Sequence, residues 1–565
     1  MGKYIRLTLT IATLLYYRKS ILNFIKKQIK NIPIVKYEIE KRMNHQLVSM
    51  ENQIFHNFDP NTSIVVLQEE PLPSDSLMQP LINSYQEFQK RCQIGNFSGT
   101  VYIEPNNDFF KQLIEETSQI YKYVQYYNTM HASDFPLARQ REAEVVSMVA
   151  KLYNYDKIYS EICNDKQVFG YFTSGGTESN MCAIRTYFNI AKAREIKNPV
   201  ILAPISAHDS ILTKGKDYGE IITVNLDPDT LKVSTKHMEK MIRKYGKRVI
   251  AIVGSTPTYA HGILDPIDEL SELALKYNIY LHVDACMGSL LLPFIKSYSG
   301  FYYPGVSSVS VDPHKFGYCP KGSSVILYRS KDIMRYQFYM NPEWQGGLYT
   351  TPGLPGSKSA VNSIVTHYVM NRIGKNGYQE FANKLVALKK GLITELEKLE
   401  HIKIVGEPEL SLIAIKSDTL NIYLLSDYLA QNGIKMDKMQ GPPFNSIHIC
   451  LTLLHLNNHF IEKFILTIKN GIQLCYEINK SIKAKDIEKE ENKEKKKLDS
   501  GEAALYGQVA SLNKSEPELV KMLMEEYNFT VLRALPLNLV KIEDKSSDDF
   551  NDIRSTIFKF IYKMF

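Results

Sequence analysis

Short runs of β-branched and apolar residues alternate with amphipathic stretches between about Pro136 and Gly374. This alternation is typical of βα units, whose strands lie parallel in one sheet. It therefore predicts an α/β domain with a mostly parallel sheet over residues 136–375. The candidate strands are VILAP from Val200, VIAIVG from Val249, IYLHVD from Ile279, SSVSVD from Ser307 and SSVILY from Ser323.

The regions on either side of this domain have other patterns. Residues 36–135 are mixed and polar, with helical periodicity around Phe109 to Tyr127, and we expect an arm with connecting helices there. Residues 376–480 are predicted to form a smaller α+β domain. Its expected elements are a helix from Phe381 to Leu399 and the strands SLIAI from Ser411 and SIHICLTL from Ser446.

The chain from Lys483 to Asp499 is almost entirely charged. Such a stretch is typical of a solvated helix or a disordered linker, so residues 481–500 are assigned as a charged linker. Residues 501–565 return to a globular composition and form a C-terminal extension, with a helical pattern from Leu519 to Tyr527.

The first 35 residues combine an apolar run, Leu7 to Tyr17, with a basic cluster of Arg18, Lys19, Lys26, Lys27 and Lys30. The run is shorter than the ~20 residues of a usual membrane-spanning helix. A short or tilted anchor, an interfacial amphipathic helix and an ordinary packed helix remain open. A signal peptide is less favoured because no small-residue cleavage site comes after the run. The basic cluster favours a cytoplasmic position for the chain that comes after it.

Composition narrows the function classes. With 565 residues and 44% hydrophobic residues, the chain can bury a large core. Its net charge of +7 is mild for this length and gives no reason to expect a nucleic-acid partner. The seven cysteines contain no Cys-x-x-Cys pair, so we expect neither a disulfide framework nor a metal site, and a reducing compartment fits.

The motif GYFTSGGTES, Gly170 to Ser179, joins an aromatic strand to an apparent helix through a Ser-Gly-Gly-Thr turn. Glycines permit close backbone approach, and the free amides at a helix start can hold a phosphate group. A tight connection without any ligand is the alternative interpretation.

In HVDACMG, Asp284 directly follows an apolar strand. Ligands of open α/β sheets bind at the carboxyl edge of the strands, where this carboxylate could keep a pyridine nitrogen protonated. A helix cap is the alternative role for Asp284. His208, in SAHDS after another strand, could stack on an aromatic cofactor ring or be a partly buried structural histidine.

The segment SVDPHKFGYCPKGSSVILY places His314 and Lys315 at the end of a further strand, with Lys321 close behind. A lysine held at a dry sheet edge can form a Schiff base, although a single lysine is usually just solvated. The order of Gly-Gly-Thr turn, Asp284 and His314-Lys315 within one βα-rich domain favours a shared site for pyridoxal phosphate.

These residues also resemble a known family, the sphingosine-1-phosphate lyases. The resemblance runs from about Ser98 to Ile478 and reappears at ALYGQVA after the charged linker. PKGSS and WQGG-x-Y are its specific parts, since the other elements occur across pyridoxal-phosphate decarboxylases. The matching motifs are TSGGTES, SAH, TP-x-x-x-HG (Thr256 to Gly262), HVDAC-x-G, D-x-HK-x-GY-x-PKGSS, WQGG-x-Y (Trp344 to Tyr349) and GS-(K/R).

The resemblance implies an aspartate-aminotransferase-like fold and a homodimer whose sites are built from both subunits. The implied reaction is cleavage of sphingosine 1-phosphate, or a dihydro or phyto relative, between C2 and C3. The products are a long-chain aldehyde and phosphoethanolamine, and pyridoxal 5'-phosphate is the cofactor. The implied location is the endoplasmic-reticulum membrane, reached through the N-terminus, with the catalytic domain facing the cytosol.

Matched position by position, the resemblance assigns a role to each candidate residue. Lys315 becomes the Schiff-base lysine, Asp284 the partner of the pyridine nitrogen and His208 the ring-stacking residue. The cofactor phosphate is expected at Gly176, Thr177 and His314, together with Gly346 and Gly347 of a partner subunit. Tyr102 and Lys321 match residues near the reacting carbon and hydroxyl, and Asn128, His131 and Lys358 match the substrate-phosphate end.

Two departures and two rivals accompany this interpretation. The family often has Arg where Lys358 stands, and a lysine lacks the bidentate fork that grips phosphate. Asp209-Ser210 replaces the small and aromatic residues common after SAH. An amino-acid decarboxylase would use the same Lys315, Asp284 and His208 but needs a group that orients an α-carboxylate. A catalytically silent, membrane-tethered scaffold is disfavoured because the cofactor residues are all present.

Overall fold

The computed structural model describes residues 71–156, 168–441, 443–456 and 459–483, together with Lys521 and Met524. The described chain belongs almost entirely to one compact unit, Pro73–Tyr506. The apolar run at Leu7–Tyr17 and nearly all of the charged linker lie outside the described residues. Within those ranges, no helix combines the length and the apolar character needed to cross a membrane.

A seven-stranded sheet organises the unit, in the order β1-β7-β6-β5-β4-β2-β3. The pairs from β6 through β5, β4 and β2 to β3 are parallel, whereas β7 is antiparallel to both β1 and β6. The mostly parallel sheet expected from the sequence is therefore confirmed. Its strands are β1 (Phe169–Thr173), β2 (Val200–Pro204), β3 (Glu220–Val224), β4 (Val249–Ser255), β5 (Tyr280–Asp284), β6 (Val306–Val311) and β7 (Ser324–Tyr328).

The central strands are buried along nearly their whole length because helices cover both faces of the sheet. Every residue of β2, β4, β6 and β7 is buried. β3, at the edge of the sheet, has two buried residues among partly and fully exposed ones, and the sequence did not predict it. Two core clusters lie on the sheet, one around Val283 and Val309 and one around Ile201 and Ile326.

Helices connect the strands and frame the sheet. The predicted helix near Phe109 is α2. The helix expected after the Ser-Gly-Gly-Thr turn is α4, which begins within that turn, at Gly176. The helices are α1 (Ser74–Gln93), α2 (Asp108–Val124), α3 (Pro136–Leu152), α4 (Gly176–Ala193), α5 (Asp209–Leu212), α6 (Thr235–Tyr245), α7 (Ile267–Tyr277), α8 (Leu292–Ile295), α9 (Lys331–Met334), α10 (Val361–Leu396), α11 (Ile422–Gln431) and α12 (Phe460–Lys483).

The long helix α10 begins much earlier than the helix expected from Phe381. It is interrupted at Gly374, whose φ of 64° lies in the left-handed region that glycine adopts without steric cost. That glycine was expected near the end of the large domain, and it produces a kink in a helix that continues. The proposed domain boundary at residue 375 stays a prediction.

A second, antiparallel sheet lies beyond α10, in the order β10-β11-β13-β12. It has its own apolar core, which includes Ile413, Ile449 and Phe464. Between the two sheets in sequence, β8 (Tyr339–Asn341) and β9 (Tyr349–Thr351) form a short hairpin. The second sheet contains β10 (Lys403–Ile404), β11 (Leu412–Lys416), β12 (Asp437–Met439) and β13 (Ser446–Cys450).

Candidate active site

A cavity of about 560 Å³ opens at the carboxyl edge of the central sheet. Because β1, β2, β4, β5 and β6 run in the same direction, the residues that come after them meet at this edge. The chain from the ends of these strands supplies Gly176, His208, Tyr259, Asp284 and Lys315 to the cavity wall. The structure thus brings together the three motifs that the sequence analysis singled out.

Lys315 lies in the turn after β6 and forms an ion pair with Asp312. The distance from Lys315 Nζ to Asp312 Oδ2 is 3.0 Å. Burial alone would lower the pKa of Lys315, but the surrounding groups, of which Asp312 contributes most, together outweigh burial and the pKa is raised. Asp312 is 1% exposed, and its Oδ1 has no hydrogen-bond partner among the described residues. Asp312 therefore holds the lysine amine in place as a cation.

Asp284 ends β5 and is almost completely buried. Its Oδ2 accepts a hydrogen bond from Asn180 Nδ2 at 2.9 Å, and its Oδ1 accepts one from the Cys286 backbone N–H at 3.0 Å. Burial alone would raise the pKa of Asp284, but the positive potential around it, to which His208 contributes most, keeps that pKa below its ordinary value. The carboxylate thus stays anionic and can accept a further hydrogen bond.

The start of α4 provides an anion-binding group. The cap residue Gly175 has no side chain to bind the first helical N–H groups, and these have no intrahelical partner. Gly176 and Thr177 line the cavity here, together with His314. Burial lowers the pKa of His314 to about 4, and its Nδ1 accepts a hydrogen bond from the Ser323 N–H at 3.3 Å. The imidazole is therefore neutral.

His208 comes after β2 and caps the short helix α5. Its Nδ1 accepts hydrogen bonds from the backbone N–H of Ser210 at 3.1 Å and from the Ser210 hydroxyl at 2.9 Å. These bonds fix the plane of the ring, whose edge meets Tyr259 at a centroid distance of 6.4 Å. His208 therefore caps a helix and also lines the cavity.

Tyr102 and Lys321 are not among the residues that line the cavity, but both lie next to the His314-Lys315 turn: Lys321 contacts His314, and the Tyr102 ring meets Phe316. Lys321 Nζ lies 3.5 Å from the His314 carbonyl oxygen and 5.0 Å from the centre of the Tyr102 ring. Surrounding protein atoms and the Lys315 charge lower the pKa of Lys321. The Tyr102 hydroxyl is buried without a partner among the described residues, and burial raises its pKa.

The three residues matched to the substrate phosphate lie outside the cavity wall of this chain. Asn128 Oδ1 accepts from the backbone N–H of Lys358 at 3.1 Å, while His131 is exposed. Lys358 Nζ binds the Phe172 carbonyl oxygen at 2.7 Å and Glu142 at 3.1 Å. The Lys358 ammonium is thus engaged within the protein, and the phosphate role of these three residues stays a prediction.

Gly346 and Gly347 lie in the exposed connection between β8 and β9, away from the cavity wall of their own chain. Gly347 has a φ of 107°, a conformation that other residues rarely adopt. A contribution from a partner subunit remains the prediction for these two glycines.

The cavity wall also contains three residues that were not predicted from the sequence: Asn180, Asp312 and Cys286. Asp312 carries the same signal as Asp284, an acidic residue directly after an apolar strand. Asn180 is a polar residue on the buried face of α4, where the neighbouring positions are mostly apolar. Cys286 carries no such signal, and burial raises its pKa, so its thiol is protonated.

Comparisons with known proteins agree with this geometry. Residues 126–417 match the family described as the pyridoxal-dependent decarboxylase conserved domain. A glutamate decarboxylase from Lactobacillus brevis has the same fold, with a TM-score of 0.61 at 20% identity over 74% of this chain and 96% of that chain. The fold and the site define a pyridoxal-phosphate enzyme of fold type I, and the expected fold class is confirmed.

Relatives with higher sequence identity identify the family within this class of enzymes. Sphingosine-1-phosphate lyase 1 of Rattus norvegicus is 32% identical, covering 82% of this chain and 79% of the relative. The Saccharomyces cerevisiae sphingosine-1-phosphate lyase is 32% identical over 85% and 78%. A sphingosine-1-phosphate lyase structure from Burkholderia pseudomallei has a TM-score of 0.69 at 25% identity, covering 80% of this chain and 97% of that one. The chain belongs to the sphingosine-1-phosphate lyase family.

The cofactor of this enzyme is pyridoxal 5'-phosphate, and the residues present fit it. An amine, an anionic carboxylate and a helix start with unbound N–H groups surround one cavity, and these can hold the aldehyde, the pyridine nitrogen and the phosphate. The unpartnered Asp312 Oδ1 also lies in this wall.

The Gly-Gly turn provides a matched test of the cavity wall. In Gly176→Ala, the new Cβ would lie 2.6 Å from Asp312 Oδ2 and 2.7 Å from Cys286 Sγ, closer than real contacts allow. We expect the variant to unfold at a lower temperature without cofactor and to bind pyridoxal phosphate more weakly. In Gly175→Ala the nearest atom is 3.7 Å away, so the thermal stability should stay near that of the wild type. Equal loss of stability in both variants would contradict the crowding at Gly176.

Proposed function

We propose that the chain cleaves phosphorylated long-chain bases, such as sphingosine 1-phosphate, into a long-chain aldehyde and phosphoethanolamine. The observation that carries this proposal is the pair of buried carboxylates, Asp284 and Asp312, beside Lys315 in one cavity of a chain that spans most of the length of its lyase relatives. The bond that breaks is C2–C3 of the base, and the C3 hydroxyl loses its proton as it becomes the aldehyde.

When bound, pyridoxal phosphate supplies an electron sink for the carbon–carbon bond cleavage. Lys315 would hold the cofactor aldehyde, and Asp284 would hold the protonated pyridine nitrogen. Asp312 keeps the Lys315 amine in position from 3.0 Å. His208 would cover one face of the ring, while Gly176, Thr177 and His314 would hold the phosphate.

Lys321 is the residue we assign to the proton of the C3 hydroxyl. A base must be neutral before it accepts a proton, and the lowered pKa of Lys321 makes its neutral form more common near neutral pH. The centre of the Tyr102 ring lies 5.0 Å from Lys321 Nζ, and its buried hydroxyl has no partner among the described residues, so we assign this hydroxyl to the same substrate group.

Product analysis tests the reaction. We expect wild-type protein with pyridoxal phosphate and sphingosine 1-phosphate to release aldehyde and phosphoethanolamine, detected by mass spectrometry. Lys315→Ala should release neither, while Lys240→Ala, which removes an exposed lysine on α6, should match the wild type. Carbon dioxide release from amino acids without cleavage of the phosphorylated base would instead indicate a decarboxylase.

The active enzyme in this proposal is a homodimer in which Gly346 and Gly347 reach the cofactor phosphate of the partner subunit. The surface near these glycines supports the pairing because it is strongly apolar. Leu348 is 86% exposed, Met340 68% and Leu354 63%. Leu354 also belongs to the wall of the cavity, so a partner that covers this surface would help to close the site.

Mixing two inactive variants tests the shared site. Lys315→Ala and Gly347→Val damage residues that come from different subunits of each site, so a mixed dimer keeps one intact site. Statistical mixing should restore roughly a quarter of the wild-type activity. No recovery from a preparation that light scattering identifies as dimeric would contradict a shared site.

Membrane association through residues 1–35 completes the proposal, with the catalytic domain facing the cytosol at the endoplasmic reticulum. The basic residues after the apolar run support contact with an anionic surface. A variant without the first thirty residues should leave the membrane fraction and keep its cleavage activity. Continued sedimentation of this variant with membranes would contradict the anchor.

A further inference from the structure

Asn180 is a buried side chain that the proposed mechanism does not use. It lies on α4 and is 1% exposed. Its amide nitrogen donates to Asp284 Oδ2 at 2.9 Å and to Ser210 Oγ at 3.0 Å. Its amide oxygen accepts from Ser310 Oγ at 2.6 Å and from His282 Nε2 at 3.1 Å. All four hydrogen-bonding positions of the amide are therefore filled.

The direction of these bonds is set by the charge on Asp284. An ionised carboxylate only accepts hydrogen bonds, so the amide group facing Asp284 must be the NH₂ of Asn180. The amide oxygen then faces His282, whose Nε2 must carry a hydrogen. Burial lowers the pKa of His282 to about 4, so the neutral ring has one N–H only. Its Nδ1 is therefore an acceptor.

The chain of hydrogen bonds continues away from the site in the same direction. His282 Nδ1 accepts from the Ser308 hydroxyl at 2.8 Å. Since the single Ser308 hydrogen is used in that bond, the Tyr187 hydroxyl at 2.5 Å donates to Ser308. Tyr187, Ser308 and His282 are all fully buried, so water does not compete for these bonds.

A branch from Asn180 reaches His208, the residue proposed to stack on the cofactor ring. Ser210 Oγ accepts from Asn180 and can donate its own hydrogen to His208 Nδ1. Asn180 thus connects Asp284, which is proposed to bind the pyridine nitrogen, with His208, whose ring is proposed to cover one face of the cofactor.

We propose that the hydrogen-bond chain Tyr187–Ser308–His282–Asn180 positions Asp284 to receive the pyridine nitrogen of the cofactor. His282 is a positioning residue in this account. Its N–H faces the Asn180 amide oxygen, so it favours the same amide orientation as the Asp284 carboxylate does and holds the amide NH₂ against Asp284. The inference rests on the role given to Asp284 in the proposed function.

Two substitutions of His282 test the hydrogen-bond chain. His282→Gln keeps an amide N–H near the position of Nε2, whereas His282→Leu removes every polar atom. The measurements are the dissociation constant for pyridoxal phosphate, the pH dependence of the absorbance of the bound cofactor, and the thermal unfolding of the cofactor-free protein. We expect His282→Leu to weaken cofactor binding roughly tenfold or more and to alter the absorbance profile, and His282→Gln to restore both toward wild type.

Tyr155→Phe is the matched control for the loss of a buried polar group. Tyr155 is 1% exposed and donates to the Tyr328 carbonyl oxygen at 2.7 Å, but it lies outside the hydrogen-bond chain. The Tyr155→Phe variant should unfold at a lower temperature than the wild type, with no change in the cofactor affinity or the absorbance profile. Asn180→Leu, which removes the last link, replaces His282→Leu if that variant does not fold, and the same weakening is expected.

The possible failures are distinguishable. Wild-type affinity and absorbance in His282→Leu, beside impaired binding in Asp284→Asn, would overturn the hydrogen-bond chain and leave the role of Asp284 intact. Equal weakening in the Leu and Gln variants, in proportion to their lost stability, would also overturn it. Unchanged binding in Asp284→Asn would overturn the role of Asp284 and this inference together.

Discussion

Two buried carboxylates and one lysine ammonium meet at the carboxyl edge of the central sheet. A buried charge is costly unless it is paired and hydrogen-bonded, and this requirement determines the surroundings of the three groups. Asp312 is neutralised by Lys315 at 3.0 Å, and Asp284 is held by Asn180 and a backbone N–H. Parallel strands make the meeting possible because β5 and β6 end side by side, with Asp284 opposite Ser310.

Residues from separate stretches of the chain meet in one cavity at this edge of the sheet. The turns after β1, β2, β5 and β6 each bring one kind of group: helix N–H groups, an imidazole, a carboxylate and an amine. The antiparallel strand β7 begins at this edge, so Ser323 can bind the ring of His314. The buried strands also carry polar residues in their interior, such as His282 and Ser308, which bond to one another behind the site.

Much of the sheet and site could be predicted from sequence because the signals are local. An apolar run followed by Asp or by His-Lys identifies a buried strand and the edge at which it ends, and the strands from Val200, Val249 and Ser307 lie where they were expected. The resemblance to sphingosine-1-phosphate lyases added the reaction. The edge strand β3 and the early start of α10 were missed because their patterns are weaker and their limits depend on tertiary packing.

Contacts across the fold could not be predicted. No sequence signal indicates that the Lys358 ammonium meets Glu142, which lies more than two hundred residues earlier in the chain. Asn180 looked like one more helical residue, and its value as a link between Asp284 and His282 depends on strands far away in sequence. Gly346 and Gly347 lie outside the cavity wall, and their role at the cofactor phosphate of a second subunit stays a prediction.

The most direct test of the central claim is to identify the lysine that carries the cofactor. The loaded protein is reduced with borohydride, digested, and examined by mass spectrometry for the pyridoxyl-modified peptide. We expect the modification at Lys315, which Asp312 holds inside the cavity. Modification at Lys321 or another lysine, with Lys315 unmodified, would contradict it.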